Sequence, residues 1–350
     1  MARGSSLLAY ALTRAILALP MLFILLTAVF VVLRILPGDP ILALWGGRTP
    51  PPDAVERARV QLGLDQPPIV QYLTYLRNIF TGNLGISIGE QYRGTPVWSQ
   101  IATRFPATVE LAFGGMLVAS LVGIPLGVVA GANRDRWVDL GVRLYGTIIW
   151  VIPIFWLGLI LQLVFGVWLR WLPANGRWTG VDTPCAPPST CRFQTGMYTV
   201  DSLIEGNLGH FATAVSHLLL PSLTLGLVLS GFFAKTVRAN MLRTIGADFT
   251  EAARARGVPR RAIIYRHAFK NALVPVVTVL GLQFAILFAG AVLTEKTFSY
   301  QGLGILLLES ITSKDMTMIQ GVVVFYAAII VLISLAIDIL GASIDPRIRL

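Results

Sequence analysis

The chain of 350 residues is 55% hydrophobic and only 13% charged, with a mean hydropathy of +0.71. Soluble domains carry about 25% charged residues, so this composition excludes a water-facing enzyme and calls for helices of roughly 20 apolar residues that cross a bilayer. The net charge of +10 does not point to nucleic acid, because sixteen of the 28 Lys and Arg fall in segments on one side of the predicted spans, the bias that sets membrane orientation.

Six spans are predicted, at residues 12–33, 108–130, 142–168, 212–233, 273–292 and 318–340. Residues 1–36 form a cytoplasmic N-terminus and the first span, which is too long for a cleaved leader. Leu36-Pro37-Gly38-Asp39-Pro40 stops that helix, since two prolines and a glycine forbid its continuation. Residues 37–106 then form an extracytoplasmic subdomain with helices expected at 53–61 and 69–80. The second helix places Val70, Leu73, Leu76 and Ile79 along one side. Gly82-Asn83-Leu84-Gly85 turns the chain, and Pro106 is expected to open the second span at a first-turn position.

Residues 107–350 are the core, with five spans. Glu110 sits in the first turn of its span, where a carboxylate complements the helix dipole or marks the outer mouth of a path. Pro153 predicts a kink or tilt in the third span. Gln162 in that span and Gln283 in the fifth either face a lumen or hydrogen-bond between helices. The external loop 171–210 is rich in Pro, Gly and Thr and holds the two cysteines, Cys185 and Cys191. Outside the cytoplasm a pair six positions apart is expected to join and staple the loop. A third external loop, 293–317, contains Phe298-Ser299-Tyr300-Gln301-Gly302-Leu303-Gly304. Asp338 lies near the cytoplasmic boundary, where a structural role is expected.

The cytoplasmic loop 235–270 holds nine basic residues against two acidic ones, which places it and both termini in the cytoplasm. Within it, Asp248 and Glu251 have capping-box spacing, and Gly257 followed by Pro259 is a helix stop. Phe249, Ala252, Ala253 and Arg256 fall at i, i+3, i+4 and i+7, a face with one bulky anchor and two methyl-sized side chains. A mere connection needs no such device, so residues 248–257 read as a docking helix. The chain contains no Gly-Lys dipeptide and hence no P-loop. Its three histidines, His210, His217 and His267, lie on both sides of the membrane and cannot gather at one metal. Catalysis, a bound cofactor and a metal are not expected in this polypeptide.

Glu251-Ala252-Ala253-x3-Gly257 resembles the cytoplasmic "EAA" loop of ABC-importer membrane subunits. The run Ala255-Arg256-Gly257 followed by Arg266-His267-Ala268-Phe269-Lys270-Asn271-Ala272-Leu273-Val274-Pro275 resembles the dipeptide/oligopeptide/nickel branch. The likeness continues through Leu36–Pro40, Gln61-Leu62-Gly63-Leu64-Asp65 with Gln71-Tyr72, Phe105-Pro106-Ala107-Thr108 and Gly123-Ile124-Pro125-Leu126-Gly127. It extends to Ile152-Pro153-Ile154-Phe155-Trp156-Leu157-Gly158, Trp171-Leu172-Pro173, Gly302-Leu303-Gly304 and Asp345-Pro346-Arg347-Ile348-Arg349. Where the general pattern has an Ile and then Leu-Pro, this chain has His267, Phe269 and Lys270. That departure argues against the sugar, phosphate and amino-acid branches.

The resemblance implies an all-α type I importer permease with six spans, the first permease of a pair, in a bacterial cytoplasmic membrane. It implies a second homologous permease, two ATPase domains that hold ATP and Mg, and an extracytoplasmic substrate-binding protein. Peptides are the implied substrate; nickel chelates, glutathione or another small ligand are the alternatives within the class. Asp248, Phe249, Glu251, Ala252, Ala253, Arg254, Arg256 and Gly257 are the implied ATPase-docking residues. Arg254, Arg256, Arg260 and Arg261 would pair with acidic ATPase residues or lipid phosphates, or serve topology alone. A stand-alone channel or secondary transporter also explains six spans, but leaves the docking helix unused and has few acidic or histidine relays to work with. A membrane-anchored receptor or scaffold needs no Gly- and Pro-rich spans.

Overall fold

The computed structural model describes residues 2–34, 55–56, 59–60, 63–180, 182–185, 191 and 193–344. The helix stop at Leu36–Pro40, most of the helix expected at 53–61 and the segment Asp345–Arg349 lie outside them. The described residues form helices and no strands; an antiparallel bridge joins Ile86 to Pro96. Four helices are long and apolar enough to cross a membrane, and two bent pairs bring the number to six.

The first span belongs to α1 (Ala2–Arg34), and α2 (Pro68–Phe80) folds back against it. Gly82 and Gly85 then turn the chain with φ of +74° and +85°, a conformation that costs glycine little. The second span is the middle of α3 (Val97–Ala132), which corrects the expected start at Pro106. The helix begins at Val97, whose N–H donates to the Gly85 carbonyl, and Pro106 lies inside it. At 36 residues α3 is about 54 Å long, so it stands well clear of a hydrocarbon layer of about 30 Å.

The third expected span is not one tilted helix. It is α4 (Trp137–Val151) and α5 (Ile154–Leu161), the latter continued by π-helical turns at Gln162–Trp168, bent by 99°. The cause is Pro153, which cannot donate and forces Ile152 into the extended region, at φ −67° and ψ 124°. Residues 171–210 carry α6 (Tyr198–Glu205). Next comes α7 (Leu208–Ile245), again longer than its span, and then α8 (Asp248–Ala255). A helical turn (Arg260–Ala262) and a π-helical stretch (Ile263–Ala268) lead into α9 (Phe269–Gly290). Residues 293–317 are not a simple loop: they hold most of α10 (Val292–Phe298), all of α11 (Leu303–Thr312) and the start of α12 (Met316–Ile344).

The centre of the bundle is the α3–α7 pair. Gly123, Gly127 and Gly131 form one stripe of α3, and a Cβ on each would stand 2.5–2.6 Å from the Cβ of Phe233, Val237 or Met241. Small residues at intervals of four let helix backbones approach closely, where dispersion replaces the hydrophobic drive that lipid does not supply. The motif Gly123–Gly127 is therefore a packing device. Leu111, Leu220, Leu225, Phe233, Phe288 and Phe298 fill the core around it.

Candidate functional site

At one end of the bundle, α7 stops at Ile245 with Gly246 as its C-cap, and α8 starts after Ala247. The capping box is not formed. Ala247 is the N-cap, no side chain caps the helix, and the N–H groups of Thr250 and Glu251 go to the Ala247 carbonyl at 2.9 and 3.2 Å. Asp248 and Glu251 sit within the first turn and act on it only through the helix dipole. The residue that holds the corner is Thr250. It is fully buried, and its hydroxyl lies 2.7 Å from the Ile245 and Ala247 carbonyls and 3.1 Å from that of Thr244.

The C-terminal stop is a Schellman motif. Gly257 has φ +76°, its N–H donates to Arg254, and Val258 N–H donates to Ala253. The four-residue face divides. Phe249 is 41% exposed, and Asp248, Glu251, Ala252, Arg254, Arg256 and Gly257 are exposed as well. Ala253 is fully buried within the chain, a correction to its place on a docking face. The heptad positions meet on one side of an isolated helix, but α8 lies along the bundle and that side is split between bundle and solvent.

The start of α4 is tied to α7 by charge. Asp139, fully buried at the start of α4, pairs with Arg238 of α7 through both guanidinium nitrogens Nε and Nη2 and lies 3.8 Å from Arg143 Nε. Arg260 donates to the Ala132 carbonyl at the end of α3 at 2.9 Å, so one of the four loop arginines is already used within the chain. Neither Asp139 nor Arg238 stood out in the sequence. Their signal is an acid in a first helical turn with Arg four residues on, which is common on solvated helices.

At the other end, Glu110 and Gln162, each expected either along a path or in a structural role, hold distant segments together. Glu110 lies well inside α3, not in its first turn, and is buried. Its carboxylate accepts from Arg177 Nη2 at 2.8 Å, Thr199 N and Oγ1 at 2.6 Å each, and the Tyr300 hydroxyl at 3.1 Å. The Arg177 guanidinium stacks 3.9 Å from the centroid of the Tyr198 ring. Gln162 donates through Nε2 toward the Ala174 carbonyl, Asn175 Oδ1 and the Thr297 carbonyl, all within 3.0 Å. Both carboxylate oxygens of Glu110 are thus occupied, whereas the Gln162 contacts all run through Nε2. Gln283 differs: it is half-buried on α9 and has no hydrogen-bond partner among the described residues.

The same end of the bundle is pinned elsewhere. His217 is buried with Nδ1 3.1 Å from the Gly176 carbonyl and Nε2 3.2 Å from Thr179 Oγ1. Cys185 and Cys191 are joined, with Cα atoms 5.4 Å apart. Glu295 of α10 accepts from the Thr108 hydroxyl and the Ile305 N–H. A Cβ on Gly302 would lie 2.3 Å from its Oε1, so Gly302-Leu303-Gly304 is the backbone that wraps a carboxylate. Gly85-Ile86-Ser87-Ile88-Gly89 has the spacing of a serine nucleophile motif, but Ser87 is buried and donates to Asp315, and its partners include no histidine.

Comparison with known proteins agrees with this architecture. Residues 123–350 match the family model described as binding-protein-dependent transport system inner membrane component, and residues 7–112 match the N-terminal model of the same membrane components. The chain is 42% identical over 320 residues to the probable D,D-dipeptide transport system permease protein DdpB of Escherichia coli K12, covering 91% of each. It is 37% identical over 343 residues to the di/tripeptide transport system permease protein DppB of Pseudomonas aeruginosa UCBPP-PA14, covering 98% of this chain and 99% of the relative. Against the dipeptide transport system permease protein DppB of Escherichia coli K12 it is 36% identical over 347 residues, with 98% and 99% covered. The chain is thus a member of the family of binding-protein-dependent transport system inner membrane components, multi-pass membrane proteins with the type I ABC importer permease fold.

Proposed function

We propose that this chain is the first permease subunit of an ATP-driven importer of di- and oligopeptides, acting with a second homologous permease, two ATPase domains and an extracytoplasmic binding protein. The peptide class is supported by the names of relatives that match nearly the whole chain. The observation that carries the mechanism is the exposed face of α8 on a corner locked by Thr250 and the Schellman turn. Phe249 and Ala252 enter a groove of the ATPase, Glu251, Arg254 and Arg256 pair around it, and Ala253 supports the helix from within. ATP and Mg are held by the ATPases, and none by this chain.

A helix fastened at both ends transmits displacement instead of bending, so closure of the ATPases swings α7 and α9 together. Residues 235–270 and both termini face the cytoplasm, and 37–106 and 171–210 face out. The test is purification from membranes followed by reconstitution with ATPases and binding protein. ATPase subunits co-purify, and labelled dipeptide enters vesicles only with ATP. Absence of ATPases from the purified complex would sink the docking role. Uptake of nickel chelate or glutathione in place of dipeptide would move the substrate within the class.

A further inference from the structure

The helix α2 has three sectors where a free amphipathic helix has two. Tyr75 and Leu76 are buried with Leu26 and Phe30 of α1 and Val324 of α12, and Tyr72 and Ile79 pack beside them. Thr74, Arg77 and Asn78 form an exposed polar sector. Between the two lie Ile69, Leu73 and Phe80, which are 64%, 59% and 62% exposed. At about 100° per residue these three fall within roughly 40° of one another, so they make one apolar strip that α1 leaves uncovered.

The depth of that strip follows from its neighbours. Running antiparallel to α1, α2 sets Gln71 beside Arg34, Tyr72 beside Thr27, the Tyr75 hydroxyl on the Leu26 carbonyl, and the Phe80 ring 6.3 Å from that of Phe23. From Arg34 back to Phe23 is eleven residues, about 16 Å of helix. Phe23 belongs to the exposed apolar surface of α1, with Leu19 and Ile16 at 59% and 64% exposure. That span meets lipid, and the Phe80 strip continues its surface. A helix wholly in water would turn its polar sector to solvent and hide such a strip.

We propose that α2 is set into the leaflet at the C-terminal end of α1 and runs down beside that span, its Ile69, Leu73 and Phe80 strip facing the acyl chains with Ile69 nearest the headgroups and Phe80 deepest. Thr74, Arg77 and Asn78 lie on a side of α2 turned away from that strip, and the long Arg77 stem carries its guanidinium back toward lipid phosphate. Part of segment 37–106 is therefore set into the bilayer, where it braces the most lipid-exposed span of the bundle. On the orientation proposed above this is the outer leaflet; the embedding itself does not depend on that orientation.

Site-directed spin labelling tests it. In the full-length chain with Cys185→Ala and Cys191→Ala, single nitroxides are placed at 69, 73, 80, 74 and 78 in phosphatidylethanolamine/phosphatidylglycerol vesicles. Labels at 69, 73 and 80 should relax more with oxygen than with a water-soluble nickel chelate, most strongly at 80, and those at 74 and 78 should show a lower oxygen-to-nickel ratio than 73 and 80. Nickel access at all five would make α2 a water-exposed helix and overturn the proposal. Shielding of 69, 73 and 80 from both reagents would overturn it too, by showing a protein partner on the strip. Phe80→Trp in the otherwise unaltered chain gives a second reading: acyl-brominated lipids should quench its added fluorescence, and no added quenching would refute the embedding.

Discussion

Arg177 and Glu110 face each other with side chains that are 9% and 4% exposed, and the carboxylate is further held by Thr199 and Tyr300. Removing one member of a buried pair leaves the other charge unmatched, which costs about 3–5 kcal/mol. Arg177→Met should therefore lower the melting temperature of the detergent-solubilised chain strongly, more than Arg134→Met, whose pair with Asp135 is exposed on both sides. Equal melting temperatures for the two variants would show that Glu110 does not need its arginine. Glu295 offers a pH test. Burial pushes its carboxyl from an ordinary 4.5 up to about 7, against the Thr108 hydroxyl and the N–H groups of Ile305 and Gly304, which pull it down. A raised folded pKa means that the native state holds the proton more tightly. Its stabilising contribution is then complete below about 4.5, falls as pH rises toward 7 and is lost above it. The melting temperature of the wild type minus that of Glu295→Gln should decline from pH 5 to 8; a difference that rises over this range would reverse the assignment.

At the scale of the helix, α8 separates two alanines that the sequence pattern puts together. Ala252 is exposed and Ala253 is fully buried. A carboxylate at 252 stays in water in the free subunit, whereas one at 253 is buried without a partner. Ala252→Glu should reach the membrane at normal levels and lose most ATPase recruitment in a pulldown. Ala253→Glu should fail to accumulate. If both variants accumulate and recruit ATPases equally, α8 is not the docking element. The turn after the helix makes a related demand. Gly257 at φ +76° has nothing within 4 Å of where a Cβ would stand, so Gly257→Ala costs only the left-handed conformation, on the order of 1 kcal/mol. Gly257→Pro removes the N–H that closes onto Arg254 and cannot adopt that φ. Transport by Gly257→Ala should stay near wild type while Gly257→Pro loses it with insertion intact.

For the whole molecule, the charge asymmetry predicts which side each loop occupies. With an impermeant thiol reagent on intact cells, introduced cysteines at 180 and 312 should label and those at 134 and 255 should not. Labelling at 255 would overturn the orientation and with it the docking of ATPases. Hydropathy, a sum over neighbours in the chain, was enough to determine six apolar segments; periodicity marked the helix at α2, Gly257 with Pro259 marked the stop, and the motifs around Glu251–Gly257 marked the transport class. Hydropathy did not show that α3 and α7 run on beyond the bilayer, because their end turns are stabilised by packing on each other and on the short helices between the spans, not by lipid. The break at Pro153 was legible as a kink but not as 99°, since α5 is held where it is by α7 and α10. Glu110 and Gln162 were open to a path or a structural reading because a polar group in an apolar run is costly either way. Only the tertiary structure supplies their partners, which lie 67 and 135 residues away at Arg177 and Thr297. Thr250 and Ala253 turn inward for the same reason: which side of a short helix is buried depends on the surface it is laid against, and that surface is assembled from distant parts of the chain.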